Sequence, residues 1–344
     1  MMSEATRYDT PTTVTHALDG LQPDNLLAFL ALLGLLRALE TARPEWQARV
    51  AWRDIPPRVA LCLARDADRD QVISEVGAGL RRLSEAYVSD GPLFDRPNLK
   101  YTPDEFRELA LRERRGRERA HLLAALASDG ATSTREEEVT STPLCVMSGQ
   151  GHQHFLSRLT AMLRLPGQQV KGKADKPAGR RSRRSGQANT PSLPDELRRA
   201  LYEPWRYEDA TESFRWDPIE DRRYAYQYGN PSESANKVGT TAGANRLAAF
   251  GLAALTSAPT ASGLATLGVF GPRRQERVCW PLPGVPTSLS GYRALLAHPA
   301  LGDPRKAPQL ARYGVLAVAR ARRYGVSVAA SVYFNFSRAR LQYL

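Results

Sequence analysis

Between Leu26 and Leu39 the chain reads LLAFLALLGLLRAL, and no other stretch constrains the fold so tightly. Leu, Ala and Phe occupy nearly every position, so a helix here is apolar on all sides and has to be buried on all sides. Pro23 suits a first helical turn, and Asp24 or Asn25 can cap it. Gly34 costs such a helix roughly 1 kcal/mol of propensity, which points to close contact with another backbone. The run is about fourteen residues long and carries Arg37, whereas crossing a bilayer takes about 20 apolar residues. It is a core helix, and the rest of the chain has to wrap it.

A length of 344 residues fits one large domain or two of ordinary size. The net charge of +12 points to polyanions. That charge is unevenly spread. The segment Lys171–Arg184, KGKADKPAGRRSRR, holds seven cations (Lys171, Lys173, Lys176, Arg180, Arg181, Arg183, Arg184) against Asp175 alone. With no apolar side chain larger than alanine it cannot offset the entropy cost of ordering itself. It is expected to gain order only against a dense line of negative charge, such as a nucleic-acid backbone. A second basic zone runs from Pro272 to Leu344, with twelve Lys/Arg against Glu276 and Asp303. Two basic zones on a slightly acidic body are what a binding face looks like. The three cysteines, Cys62, Cys145 and Cys279, are widely spaced with no CxxC pair, which fits a reducing interior and neither a disulfide framework nor a zinc knuckle. No signal sequence opens the chain, so the expected location is the cytoplasm, away from any membrane.

Periodicity predicts an α+β, helix-rich mixed fold with small sheets, the buried N-terminal helix and a C-terminal strand. Val59, Leu61 and Leu63 alternate as a strand does, and residues 68–87 have amphipathic spacing through Val72, Val76, Leu80 and Leu83. Further helices are expected over 103–128, 154–163, 244–257 and 290–296, with short strands over 139–148 and near Leu267 and Val278. Val326, Val328, Ala330, Val332, Phe334 and Phe336 read as one face of a single terminal strand. Pro166 and Pro191 flank the basic loop, giving a division into an N-terminal α/β domain (1–165), the loop (166–194) and a C-terminal nucleic-acid-binding domain (195–344).

Binding residues stand out more than catalytic ones. The stretch SFRWDPIEDRRYAYQY interleaves Arg215, Arg222 and Arg223 with five aromatics. Such a mixture either holds phosphates and stacks bases or forms a small neutralised core of its own. The loop NKVGTTAGANRL precedes a helix and offers Asn236, Lys237, Thr240, Asn245 and Arg246. Its small residues let backbone N–H groups approach a phosphate or a base edge, though no P-loop spacing is present and a simple connecting loop reads almost as well. Arg320, Arg322 and Arg323 concentrate charge near the C-terminus. His152 and His154 lie two apart with no further ligand at a metal spacing, so neither a metal nor a cofactor is expected. No nucleophile elbow, paired-carboxylate site, dinucleotide fingerprint or helicase motif is present, and the sequence argues for binding without chemistry.

The opening GLQPDNLLAFLALLGLLRALE, the pieces FRWDPIEDRRYAYQYGNPS and GANRLAAFGL, and an arginine-rich helix followed by an aromatic strand at the end resemble the CRISPR-associated proteins of type I-G (formerly I-U) operons. The resemblance implies a part like the large subunit of an RNA-guided surveillance complex. Such a subunit reads the short motif beside the target, holds duplex and unwound DNA next to the guide RNA, contacts the other subunits and recruits the helicase-nuclease. Two other readings stay open: a metal-dependent nuclease built around His152 and His154, and an accessory RNA-binding protein of the same operon.

Overall fold

The computed structural model describes residues 14–88, 91–133, 137–146, 154–166, 168, 191–209, 213–220, 239–261, 263–328 and 331–344. The apolar run forms α1 (Leu26–Ala42), and Asn25 starts it by accepting from the Leu27 and Ala28 N–H groups. That bond satisfies donors a helix start otherwise leaves orphaned. The helix is buried along almost its whole length. One side lies against α2 (Arg69–Val88) and another against α7 (Ala242–Gly251). Gly34 is where α1 meets α7: a Cβ at that position would stand 1.9 Å from the Leu247 carbonyl oxygen. Even Arg37 is accommodated inside, donating to Tyr87 Oη and the Phe250 carbonyl at 2.7 Å each and pairing with Glu118.

Around this centre the fold is mixed α and β, as the sequence predicts. The strands β1 (Val14–Ala17), β2 (Arg49–Arg53) and β3 (Arg58–Leu63) form an antiparallel sheet of order β1-β3-β2 that precedes α2. Then come α3 (Pro103–Glu113), α4 (Arg117–Leu126), the paired strands β4 (Ala127–Thr132) and β5 (Val139–Ser141), and α5 (Phe155–Leu163). After α6 (Leu193–Tyr202) and α7 comes the pair β6 (Ser257–Thr260) and β7 (Gly263–Thr266). The largest sheet joins β8 (Val269–Phe270), β9 (Arg277–Pro283), β10 (Val315–Val328), β11 (Ser331–Phe336) and β12 (Arg340–Tyr343), with α8 (Leu289–Ala297) inserted after β9. No helix among the described residues is long and apolar enough to cross a membrane.

Three expectations change. The terminal strand is a hairpin, because β10 and β11 pair antiparallel from Arg323↔Phe336 to Val328↔Ser331. The arginine-rich segment before it is the first half of β10 and not a helix, because sheet pairing on both edges outweighs the helix propensity of Ala and Arg. The division at residues 166–194 does not divide the core. Phe29 stacks on Trp280 with ring centroids 5.2 Å apart, and Trp280 Nε1 donates to the Pro23 carbonyl at 3.2 Å. Trp52 Nε1 reaches Tyr292 Oη at 2.9 Å, and Val50 and Thr287 exchange backbone hydrogen bonds. Residues from both ends of the chain fill one continuous apolar cluster.

Candidate nucleic-acid interface

Register in the large sheet decides which arginines stand together. Residues directly opposite in an antiparallel ladder share a face, as do residues two apart on one strand. In β10, Arg320 lies opposite Cys279 of β9 on one edge and Arg340 of β12 on the other, while Arg322 lies opposite Arg277. Arg277, Arg320, Arg322 and Arg340 therefore share one face. Like charges directly opposite each other destabilise a sheet, and this face repeats the arrangement twice. Arg277, Arg322 and Arg340 are exposed. The ion pairs nearby are Arg323 with Glu276 and Arg338 with Asp24, and among the described residues no acid pairs with those three.

Arg320 sits differently. It is half-buried; Nη1 donates to Gln342 Oε1 at 2.7 Å and Nη2 to the Leu301 carbonyl at 3.3 Å. Burial pulls its guanidinium below the ordinary arginine value, and the charge of Arg277 adds to the shift. The opposite face of β10 presents Ala317, Ala319 and Ala321 to the core beside Trp280 and Val278. Arg323 belongs to that face: it donates to both Glu276 oxygens at 3.2 Å and lies 3.9 Å from the Phe334 ring centroid. Of the three C-terminal arginines singled out from sequence, Arg322 is exposed, Arg320 is half-buried on the same face beside buried Val318 and Cys279, and Arg323 is a brace inside the fold.

The loop before α7 also turns inward. Asn245 is fully buried, with its Nδ2 on Thr240 Oγ1 (2.7 Å) and the Thr241 carbonyl (3.2 Å), and its Oδ1 accepting from the Phe214 N–H (3.4 Å). Thr240 is buried and bridges Asp209 through its backbone. Arg246 pairs with buried Glu196 at 3.1 Å and donates to the Met162 and Arg164 carbonyls at 3.0 and 2.8 Å. The expectation that Asn245 and Arg246 face a nucleic acid is corrected: their polar groups are spent inside the protein. The small residues of this loop serve packing, since a Cβ on Gly243 would stand 2.2 Å from the Glu196 carbonyl oxygen.

In the aromatic stretch, Phe214 and Trp216 are core residues stacked at 4.3 Å, and Trp216 Nε1 donates to the Leu144 carbonyl at 2.9 Å. Arg215 between them is half-buried at φ 60°, its N–H on Ser213 Oγ at 2.9 Å. Lys171, Lys173, Lys176, Arg180, Arg181, Arg183, Arg184, Arg222, Arg223, Asn236, Lys237 and His152 lie outside the described residues. His154 occupies the N-cap of α5 without a side-chain cap bond. Among the described residues no three of His, Cys, Asp and Glu gather as metal ligands. Burial pushes the Cys145 thiol up to about 12 and Cys279 up to about 11, so neither is a thiolate at neutral pH.

Arg277 and Arg340 are the two members of the arginine face that the sequence reading missed. They lie on β9 and β12, and only strand pairing with β10 brings them beside Arg320 and Arg322; no local signal in the sequence places them there. No family model, curated protein or solved structure matches the chain.

Proposed function

We propose that this chain is a non-catalytic nucleic-acid-binding subunit of a type I CRISPR surveillance complex. In that role it holds duplex and unwound target DNA beside the guide RNA, recognises the motif flanking the target and docks the helicase-nuclease. The observation that carries the binding part is the sheet face on which Arg277, Arg322 and Arg340 stand exposed around Arg320. A concentration of like charge without carboxylate partners is stabilised by an outside polyanion, and arginine forks suit phosphate oxygens. The CRISPR part comes from the sequence resemblance.

The test is the salt dependence of binding to a fluorescent DNA duplex. Each lost phosphate contact removes roughly 0.9 from the slope of log affinity against log salt, so Arg277→Ala/Arg322→Ala/Arg340→Ala should flatten it by about 2.7. Neutralising Arg180, Arg181, Arg183 and Arg184 of the basic loop should flatten it further and equally for all sequences. An unchanged slope in the triple variant removes the sheet face from the interface. Purification with the neighbouring operon products and a guide RNA tests membership of the complex, and a chain that returns alone speaks against it.

A further inference from the structure

Four arginines share the sheet face, yet they are not equivalent. Arg277, Arg322 and Arg340 end in exposed guanidinium groups on long stems, which follow a phosphate well and place a base contact poorly. Arg320 is held in place. Its Nη1 is fixed by Gln342 at 2.7 Å, Gln342 is itself held by its Nε2 donating to the Pro304 carbonyl at 2.9 Å, and Nη2 is fixed by the Leu301 carbonyl at 3.3 Å. Each terminal nitrogen carries two hydrogens, so one N–H remains on each after these bonds. Arg320 Nε is shut off from solvent and finds no nitrogen or oxygen partner; the neutral Cys279 thiol directly opposite on this face is the polar group beside the guanidinium. Arg320 forms no ion pair among the described residues; Asp303 acts on it only as a more distant charge. A partly desolvated guanidinium without a carboxylate is costly to keep in a fold. Bracing the turn at Leu301 would require only a neutral donor.

We propose that Arg320 is the specificity-determining residue of this face and reads the O6/N7 edge of a guanine, while Arg277, Arg322 and Arg340 hold the flanking phosphates. A fixed arginine presenting two N–H donors is the commonest partner of that base edge. The inference rests on the nucleic-acid-binding reading above and adds to it which side chain discriminates and for which base.

The test uses the full chain and two DNA pools with a randomised window, one duplex and one single-stranded, bound at fixed salt, recovered and sequenced. The wild type should enrich a guanine at one position. Enrichment in the duplex pool assigns the base to a groove, and enrichment in the single-stranded pool assigns it to an unpaired strand. Arg320→Lys keeps the charge but loses the fork, and should lower the enrichment about tenfold while changing affinity for the unselected pool less than about twofold. Arg322→Ala should do the reverse, weakening binding to every sequence and keeping the guanine. Gln342→Ala releases Arg320 without removing it and should also blunt the enrichment, so it decides the matter if Arg320→Lys melts. Retained enrichment in a folded Arg320→Lys or in Gln342→Ala overturns the assignment, as does a wild type that binds DNA with no guanine preference. A wild type that binds no nucleic acid overturns the binding reading itself.

Discussion

Two regions of the molecule use arginine in opposite ways. In the helical core, Arg37 is satisfied by Glu118, Tyr87 and Phe250, Arg119 by Glu113 and the Tyr87 carbonyl, and Arg246 by Glu196 and two carbonyls. On the outer face of the large sheet, Arg277, Arg322 and Arg340 are exposed and have no acid partner among the described residues. The difference shows that net charge overstates what a partner can reach. A cation inside is already spent on the fold, and only register and burial separate the two kinds.

The largest effect should come from breaking an interior pair. Arg246→Ala leaves Glu196 buried and uncompensated, and should cost about 3–5 kcal/mol in urea unfolding; Arg322→Ala should stay within about 0.5 kcal/mol. Comparable losses from the two would erase the distinction between the regions. Next, Gly34→Ala pushes a methyl group into the Leu247 carbonyl and should destabilise by about 1–3 kcal/mol, read as a lowered thermal midpoint. A neutral result would mean that α1 and α7 can part without penalty.

The smallest effect is expected at the surface. Glu105 closes the capping box of α3 with Thr102, and its bonds to Arg96 and Thr102 hold its carboxyl down at about 2. A depressed carboxyl stabilises the fold above its unfolded value and loses that contribution as pH falls toward the folded one. Glu105→Gln keeps the cap and removes the charge. Its urea midpoint should lie slightly below wild type at pH 6 and converge with it as the pH approaches 2. Equal midpoints at pH 6 would assign the stabilisation to the cap alone, which both proteins keep.

Local chemistry made much of the fold legible. The Asn25 cap, the all-round apolar α1, the close approach at Gly34 and the spacing of Val72, Val76, Leu80 and Leu83 all follow from short-range rules, and the structure has each of them. The helix α6 escaped notice although Ser192, Pro194 and Asp195 carry a helix-start signal, with Ser192 accepting from the Asp195 N–H. The arginine face could not be read the same way. Arg277 meets Arg322 only through strand pairing across an inserted helix, and Ala and Arg in alternation suit a helix as well as a strand. The loop before α7 misled for a related reason: small residues that admit a phosphate also admit a neighbouring helix, and only burial shows which one is there.

The contact between α1 and α7 also bears on how the protein is made. Arg37 and Phe250 are 213 residues apart in the chain, and synthesis at about 5–20 residues per second separates their appearance by roughly 10–40 s. Throughout that interval the side of α1 that meets α7 has no partner, although α2 is already available to cover another side. Loop closure over such a distance is slow, and exposed apolar surface invites aggregation.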